Sequence, residues 1–135
     1  MSVCLANNEH ILISFRYSVK NKKYTIDSKT RAKDKCNEVT EVLFKRLEEI
    51  SQTTWENLMN KPKEVGYEMI SIGSLDINMD SLKKELNLSD DSKVIVFRFG
   101  KQQKYRLLGV KSKECAFMMY VVGYDWNYNA YNHGS

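Results

Sequence analysis

Two arginines lie within apolar stretches near the C-terminus of this chain, and their side chains are well suited to chemistry. Arg98 is part of KVIVFRF (93–99), and Arg106 is part of KYRLLGV (104–110). Alternate residues of a strand share a face, so each arginine is expected to stand in line with apolar neighbours. A guanidinium buried alone is costly, so it needs a carboxylate partner or an open surface.

These requirements leave two interpretations of the arginines. In the structural interpretation, each forms a salt bridge with an acid from the helical middle of the chain, such as Glu48 or Glu49. In the functional interpretation, they bind phosphate, because the planar fork of a guanidinium matches phosphate oxygens.

The C-terminal tail adds two aromatic groups and a titratable one. Tyr128 and Tyr131 are suited to stacking on bases or donating hydrogen bonds, and His133 is suited to proton transfer near neutral pH. Together with a cation, such groups can drive attack of a ribose 2′-hydroxyl on the adjacent phosphate. A histidine so near the terminus is also typical of an unordered surface group.

Motifs for other chemistries are absent from the sequence. It contains no P-loop, dinucleotide-binding glycine motif, zinc-protease motif or nucleophile elbow. The two histidines and three cysteines have no zinc-binding spacing, so no metal or cofactor is predicted. We expect Cys4, Cys36 and Cys115 to be reduced thiols, with Cys115 buried as a structural group.

Length and composition indicate one globular domain over residues 1–135, with 42% hydrophobic and 28% charged residues. No apolar run approaches the roughly 18 residues of a membrane span, and no secretory signal is recognisable. We therefore expect a cytoplasmic protein with no membrane partner.

The net charge of +4 is unevenly distributed along the chain. Residues 16–35 hold eight Lys/Arg and two acids, and residues 93–135 hold seven and two, whereas residues 36–92 hold six Lys/Arg and twelve acids. If the two basic ends are neighbours in space, they form one positive face that suits a polyanion. Alternatively, the charged residues only form solvated surfaces, and their uneven distribution has no function.

The first half of the chain predicts one strand and two helices. HILISFRY (10–17) is typical of a strand, whereas 18–27 suits either a return strand or a basic loop. Apolar residues at helical spacing indicate an amphipathic helix from about Lys33 to Ile50. A short second helix follows, with Thr53 beginning a capping box.

The second half predicts a meander. Residues 63–80 allow a short strand, and 81–88 allow one or two helical turns capped by Asp80 or Ser81. Three strands then follow with short turns between them, at 93–99, 104–110 and 115–122, which indicates antiparallel pairing. The last strand is almost wholly apolar, so we expect both its faces to be covered. The predicted class is α+β.

This order of elements resembles the RelE/HigB-type toxins of bacterial toxin–antitoxin systems, including small relatives encoded by phages or mobile elements. The resemblance rests mainly on VIVFRFGKQQKYRLLGVKSKECAFMMYVVGYDWNYNAY, in which a basic strand, a YRL strand and an apolar strand precede a tyrosine-bearing tail. FRYS and LEEISQTTWENL, earlier in the chain, also look like such relatives. The resemblance implies a RelE-like fold and a metal-independent mRNA endoribonuclease that acts on RNA at the ribosome and is inhibited by an antitoxin.

The same resemblance implies roles for particular residues. Arg106 matches the arginine that contacts the scissile phosphate, and Tyr131 or His133 matches the C-terminal acid/base or stacking group. The remaining positions that match RNA-binding residues lie on the preceding strand and turn: Arg98, Lys101 and Lys104. Tyr128 is predicted to contact RNA because it can stack on a base.

The sequence leaves other functions open. The chain is longer than compact toxins of this kind, and its net charge is low for a ribosome-binding nuclease. One alternative is a non-enzymatic inhibitor or interaction module of a phage or defence system, which would bind a basic protein through the acidic stretch 76–91. Another is a simple nucleic-acid-binding module that uses a basic hairpin near Arg16 and Lys20.

Overall fold

A mixed five-stranded sheet forms the centre of the protein, for which a computed structural model describes residues 9–32 and 34–131. Its strands are β1 (Leu12–Ser14), β2 (Glu68–Ser71), β3 (Lys93–Phe99), β4 (Tyr105–Lys111) and β5 (Met118–Asp125). They are ordered β1-β5-β4-β3-β2. β1 pairs with β5 in parallel, and the other neighbours are antiparallel.

Three α-helices and four short 3-10 helices accompany the sheet in the described residues. The α-helices are α1 (Cys36–Ser51), α2 (Trp55–Met59) and α3 (Asp80–Leu86). The 3-10 helices span Lys22–Tyr24, Ile26–Arg31, Ile72–Ser74 and Lys101–Gln103. This composition confirms the α+β class.

The antiparallel meander β3-β4-β5 is confirmed, but the whole sheet is more than a meander. β1 extends it in parallel beside β5, and β2 extends it beside β3. The short strand allowed within residues 63–80 is therefore real. The RelE-like details of the predicted fold remain an expectation.

Residues 18–27 form a basic loop with 3-10 turns, one of the two alternatives that the sequence allows, since the Asn21 side chain accepts a hydrogen bond from the Lys23 backbone N–H and turns the chain. Two predicted boundaries are wrong for identifiable local reasons. α2 is capped by Thr54 rather than Thr53, because the Thr54 hydroxyl accepts from the Asn57 N–H. β5 begins at Met118, because Ser112 holds the backbone N–H groups of Glu114 and Cys115 in a turn.

The start of α3 also differs from its prediction. Its N-cap position is Met79, whose side chain makes no capping hydrogen bond, while Asp80 is already the first helical residue. The negative charge of Asp80 in the first turn is still favourable, because it lies near the positive end of the helix dipole.

The sheet has a hydrophobic core on each face. α1 and α2 cover one face, where Ile95, Phe97 and Phe99 of β3 pack with Leu43, Ile50 and Trp55. The opposite face is covered by α3, by residues 19–24 and by the C-terminal segment, which pack on Val94, Val96, Leu108 and Val110. This alternation along β3 and β4 confirms the predicted parity and places Arg98 and Arg106 on the second face.

β5 contributes to both cores, as predicted for an almost wholly apolar strand. Met119 and Val121 belong to the core under α1, and Val122 belongs to the core on the opposite face. Cys115 is buried before this strand, but it is disulfide-bonded rather than a reduced thiol, so that prediction is wrong. The spacing of three distant cysteines carries no information on such a pairing.

Candidate functional site

Arg98 and Arg106 lie directly opposite each other on β3 and β4. The pairing follows from the short turn at residues 100–104, which brings the two strands back in antiparallel register. Because cross-strand partners point to the same face, two positive side chains stand side by side near the end of the sheet. Like charges in this position repel, so the surroundings must stabilise them.

The Arg106 guanidinium is held by backbone carbonyls and a phenol. Its Nη1 donates to the carbonyl oxygens of Gln103 and, at 3.2 Å, Tyr105. Its Nε donates to the Tyr131 hydroxyl at 3.4 Å. The residue is only 2% exposed, and within the described part of the chain its hydrogen bonds go to no carboxylate.

Tyr128 covers the remaining side of this guanidinium. Its ring centroid lies 4.8 Å from Arg106 Cζ, which is a cation–π contact. The Asp125 carboxylate folds the chain into this position, because it accepts hydrogen bonds from the backbone N–H groups of Asn127, Asn129 and Ala130. Tyr128 is 47% exposed, so part of its side chain is accessible to solvent.

Tyr131 links Arg106 to an acid. Its hydroxyl accepts from Arg106 and donates to Glu68 Oε1 at 2.8 Å. Burial, and then the hydrogen bond to the Glu68 carboxylate, raise the pKa of Tyr131 well above that of a free phenol. The phenol is therefore protonated at neutral pH and acts as a hydrogen-bond donor.

Arg98 is the less satisfied of the two arginines. Its Nη1 lies 3.6 Å from Glu64 Oε1 and its Nη2 lies 4.0 Å from Glu68 Oε1, which are ion pairs longer than hydrogen bonds. Its Nε is buried and has no hydrogen-bond partner among the described residues. The side chain is 17% exposed. The Nη1 and Nη2 groups of Arg98, which are held only by these long ion pairs among the described residues, can thus donate hydrogen bonds to an anion.

Arg98 pairs with acids from the middle of the chain, as the structural interpretation predicts, but not with the two acids named as examples. Glu64 precedes β2 and Glu68 begins it, so both come from the edge of the sheet. Glu49 pairs with Arg46 instead. Naming Glu48 or Glu49 as the partner was wrong, because α1 covers the face of the sheet opposite to Arg98.

Two adjoining clefts open around these side chains. The arginine cleft, of about 390 Å³, is lined by residues that include Arg98, Gln103, Lys104, Arg106, Asn127 and Tyr128. The serine cleft, of about 520 Å³, is lined by residues that include Lys63, Glu68, Ser71, Ser74, Lys93 and Tyr131. Arg98 and Tyr128 line both clefts and form their common wall.

The two lysines of the turn are placed differently from each other. Lys104 lines the arginine cleft, although its Nζ lies 3.6 Å from Asp34 Oδ2. A hydrogen bond from the Tyr105 hydroxyl, helped by the Lys104 charge, lowers the pKa of Asp34. Lys101 lines neither cleft. The structure thus brings together Arg98, Arg106, Tyr128, Tyr131 and Lys104, whereas His133 lies outside the described residues.

Sequence reasoning missed Glu68 and the Gln103 carbonyl as members of the site. Glu68 had a weak signal, because an acid at the start of an otherwise apolar EMIS segment needs a cationic partner. The Gln103 carbonyl had no signal in the sequence, since it is oriented by a turn in which Gln102 and Gln103 both have positive φ, of 56° and 54°.

The basic ends of the chain meet beside the arginine cleft. Trp126 Nε1 donates to the Thr25 carbonyl at 2.8 Å, and the Tyr24 hydroxyl donates to Asn129 Oδ1 at 3.1 Å. The exposed cations of this neighbouring segment are Lys20, Lys22, Lys23 and Arg31. The two basic ends of the chain are therefore neighbours in space, as a shared positive face requires.

Comparisons with known proteins find no significant similarity. The chain matches no protein-family model, and no curated protein or solved structure is significantly similar to it. Within residues 9–32 and 34–131, no helix is long and apolar enough to cross a membrane, and no group of three His, Cys, Asp or Glu side chains could hold a metal ion. The molecule is an α+β protein with a paired-arginine site at one end of a mixed sheet.

Proposed function

We propose that this protein binds single-stranded RNA where the arginine cleft and the serine cleft meet and cleaves it there by metal-independent attack of a 2′-hydroxyl on the adjacent phosphate. The observation that carries the proposal is the state of Arg98, which lies opposite Arg106 and whose Nη1 and Nη2 groups make only long ion pairs, of 3.6 and 4.0 Å, with described residues. Phosphate is the common cellular anion whose oxygens accept from such a fork.

The charge near the cleft supports a polyanion rather than a small anion. Lys104 lies in the cleft, and the exposed lysines at 20, 22 and 23 belong to the segment packed against residues 126–129. A strand of RNA that leaves the cleft would continue over this positive surface. Tyr128 offers a half-exposed ring on which a base can stack.

Glu68 and Tyr131 supply the proton transfers in this proposal. The 2′-oxygen forms a bond to phosphorus while Glu68 accepts the hydroxyl proton, and Arg98 and Arg106 stabilise the added negative charge. The bond from phosphorus to the 5′-oxygen breaks as Tyr131 gives that oxygen its proton. Glu68 then returns a proton to Tyr131 along their 2.8 Å hydrogen bond, which restores both groups.

His133 is the other candidate for the acid that the resemblance implies. It follows Tyr131 by two positions but lies outside the described residues. In the proposal it would donate to the leaving 5′-oxygen in place of Tyr131. An antitoxin that covers the arginine cleft would inhibit such an enzyme, and the ribosome would present the RNA.

Cleavage of RNA by the purified protein tests the proposal. We expect free RNA, or mRNA on translating ribosomes, to yield fragments ending in 2′,3′-cyclic phosphate, both with and without a metal chelator. Substitution of the RNA with 2′-O-methyl ribose should abolish cleavage, because the attacking hydroxyl is lost. Activity should fall strongly in Arg98→Met and Glu68→Gln and persist in Lys45→Ala, whose exposed side chain pairs with Glu41 on α1.

Two outcomes would overturn this proposal. One is the absence of RNA cleavage in both the free and the ribosomal assays. The other is cleavage that is equal in the wild type, Arg98→Met and Glu68→Gln, which would place the activity outside the cleft. Comparing Tyr131→Phe with His133→Ala identifies the acid, because only loss of the true donor should slow departure of the 5′-oxygen.

A second candidate function is non-enzymatic binding of a basic protein, such as an inhibitor from a phage or defence system would show. The observation that favours it is a set of exposed acids in and around α3: Asp76, Asp80, Glu85, Asp90 and Asp91. Lys83 neutralises part of this surface through its contacts with Asp80 and Asp90. Recovery of one basic partner without RNA, lost on replacing these acids by Asn or Gln, would favour this function.

A further inference from the structure

The serine cleft has the chemistry of a second nucleotide site. It continues from the arginine cleft across the common wall of Arg98 and Tyr128. Its lining carries the cations Lys63 and Lys93 in addition to Arg98, and Glu68 is the acid that faces them. With a volume of about 520 Å³ it is the larger of the two.

Polar groups of the serine cleft are arranged around one lysine. Lys93 Nζ donates to the Ser71 hydroxyl at 2.9 Å, which fixes the ammonium group at the cleft wall and leaves it further donors. Ser74 lies exposed on the same lining. Ile70 and Met69 add apolar surface against which a base can pack. Such a mixture of cations, hydroxyls and apolar surface suits a nucleotide.

Lys93 and Arg98 belong to the two ends of the same strand, β3. They are its first and sixth residues, so their Cα atoms are about 17 Å apart. Both side chains line the serine cleft, and Arg98 also lines the arginine cleft. The Nη1 and Nη2 groups of Arg98 make only long ion pairs with described residues, so they can contact a phosphate between the clefts.

We infer that single-stranded RNA runs from the arginine cleft past Tyr128 into the serine cleft, where Lys63 and Lys93 hold the phosphate of a neighbouring nucleotide. The inference rests on the proposed function, because the reacting phosphate is taken to lie at the common wall of the two clefts, beside Arg98, Glu68 and Tyr131. It adds that tight binding requires an RNA longer than a dinucleotide. Tyr128 separates the two nucleotides and stacks on the base at the junction.

Oligonucleotide length distinguishes the two clefts. Fluorescence anisotropy would compare a 2′-O-methyl dinucleotide, which has one phosphodiester, with a 2′-O-methyl hexanucleotide, for the wild type and for Lys63→Ala/Lys93→Ala. The matched control is Lys45→Ala/Lys84→Ala, which removes the same charge from exposed positions on α1 and α3. Circular dichroism melting would verify that all three proteins are folded.

We expect Lys63→Ala/Lys93→Ala to weaken hexanucleotide binding about tenfold relative to the control and to lower its salt dependence by about one unit of slope per lysine. Dinucleotide binding should be the same in both double variants. A hexanucleotide affinity equal to that of the control, or an equal loss for both lengths, would overturn the subsite while the proposed function stands. If the wild type binds neither oligonucleotide and cleaves no RNA, the proposed function fails together with the subsite.

Discussion

Arg46 and Arg98 approach the same position of β3 from opposite faces of the sheet, and they are bound in opposite ways. Arg46, on α1, donates through Nε to the Arg98 carbonyl at 3.0 Å and through Nη2 to the carbonyls of Val65 and Gly66 at 3.1 and 3.0 Å. It also lies over the Phe97 ring. Within residues 9–32 and 34–131, the Arg98 side chain has only two long ion pairs.

The difference between these arginines shows how one residue type serves two purposes in one protein. Arg46 fixes the backbone before β2 and the end of β3 to the helix, and its burial lowers its pKa without removing its charge. Arg98 has a buried Nε without a hydrogen-bond partner among the described residues, which costs stability. Its Nη groups make only long ion pairs with described residues at the wall of two clefts, which preserves their affinity for an anion. Four variants test this contrast.

The largest loss of stability is expected for Arg46→Leu. The change leaves three backbone carbonyls without their donor, and each such loss costs about 1 kcal/mol or more. We expect the free energy of unfolding to fall by about 3 kcal/mol. Urea denaturation followed by tryptophan fluorescence measures it. Lys45→Ala, on the neighbouring exposed position of α1, should change stability by less than about 0.5 kcal/mol; equal midpoints for the two variants would contradict a structural role for Arg46.

Arg106→Leu should have an intermediate effect. It removes the donor to the Gln103 and Tyr105 carbonyls and the cation under Tyr128, but these carbonyls border an open cleft where water can replace the guanidinium. We expect a loss of about 1.5 kcal/mol in unfolding free energy, together with a strong loss of RNA binding. A loss as large as that of Arg46→Leu would show that Arg106 is also a structural group.

Tyr131→Phe should cost about 1 kcal/mol near neutral pH, because Glu68 and Arg106 lose a hydrogen-bond partner. The raised pKa of Tyr131 in the folded state gives its contribution a definite pH dependence. It is fully present below about pH 10, where an unfolded tyrosine is protonated, and is lost as the pH rises above that value. Urea titrations between about pH 8 and 11 should therefore show a steeper decline for the wild type than for Tyr131→Phe; parallel declines would argue against burial of the phenol.

The smallest effect on stability is expected for Arg98→Met. Methionine keeps the aliphatic packing of the side chain, and the guanidinium that it replaces makes only long ion pairs. We expect a change within about 0.5 kcal/mol, whereas affinity for RNA should fall about tenfold or more. Anisotropy titration and urea denaturation on the same sample separate these effects. A loss of stability without a loss of affinity would reverse the contrast with Arg46.

Parity and turn length were enough to predict part of the site from sequence. The alternation in 93–99 and 104–110 correctly placed each arginine in line with apolar neighbours of its own strand, because a strand periodicity of two is set by backbone geometry. Their exact opposition depends on the turn at 100–104, in which Gly100, Gln102 and Gln103 all take positive φ. Glutamine rarely adopts a positive φ, and nothing in its side chain predicts this conformation.

The sequence could not predict that Glu68 belongs to the site, for a different reason. It depends on β2 pairing with β3 in a register that sets Glu68 opposite Val96, and a four-residue edge strand carries too little pattern to fix such a register. β1 was recognisable as a strand, but its parallel pairing with β5 was not. Contacts between distant segments depend on the packing of the whole chain rather than on local preference.

The parallel pairing of β1 with β5 has a consequence for synthesis of the protein. Residues 15–117 lie between β1 and its partner Met118–Tyr120, so β1 is made well before that partner. Until that partner exists, β4 is an open edge in the middle of an unfinished sheet, and apolar edges of this kind recruit other chains. Messages truncated before the codon for Met118 should therefore yield aggregation-prone fragments, whereas the sheet formed by the described residues has strands of three and four residues at its two edges.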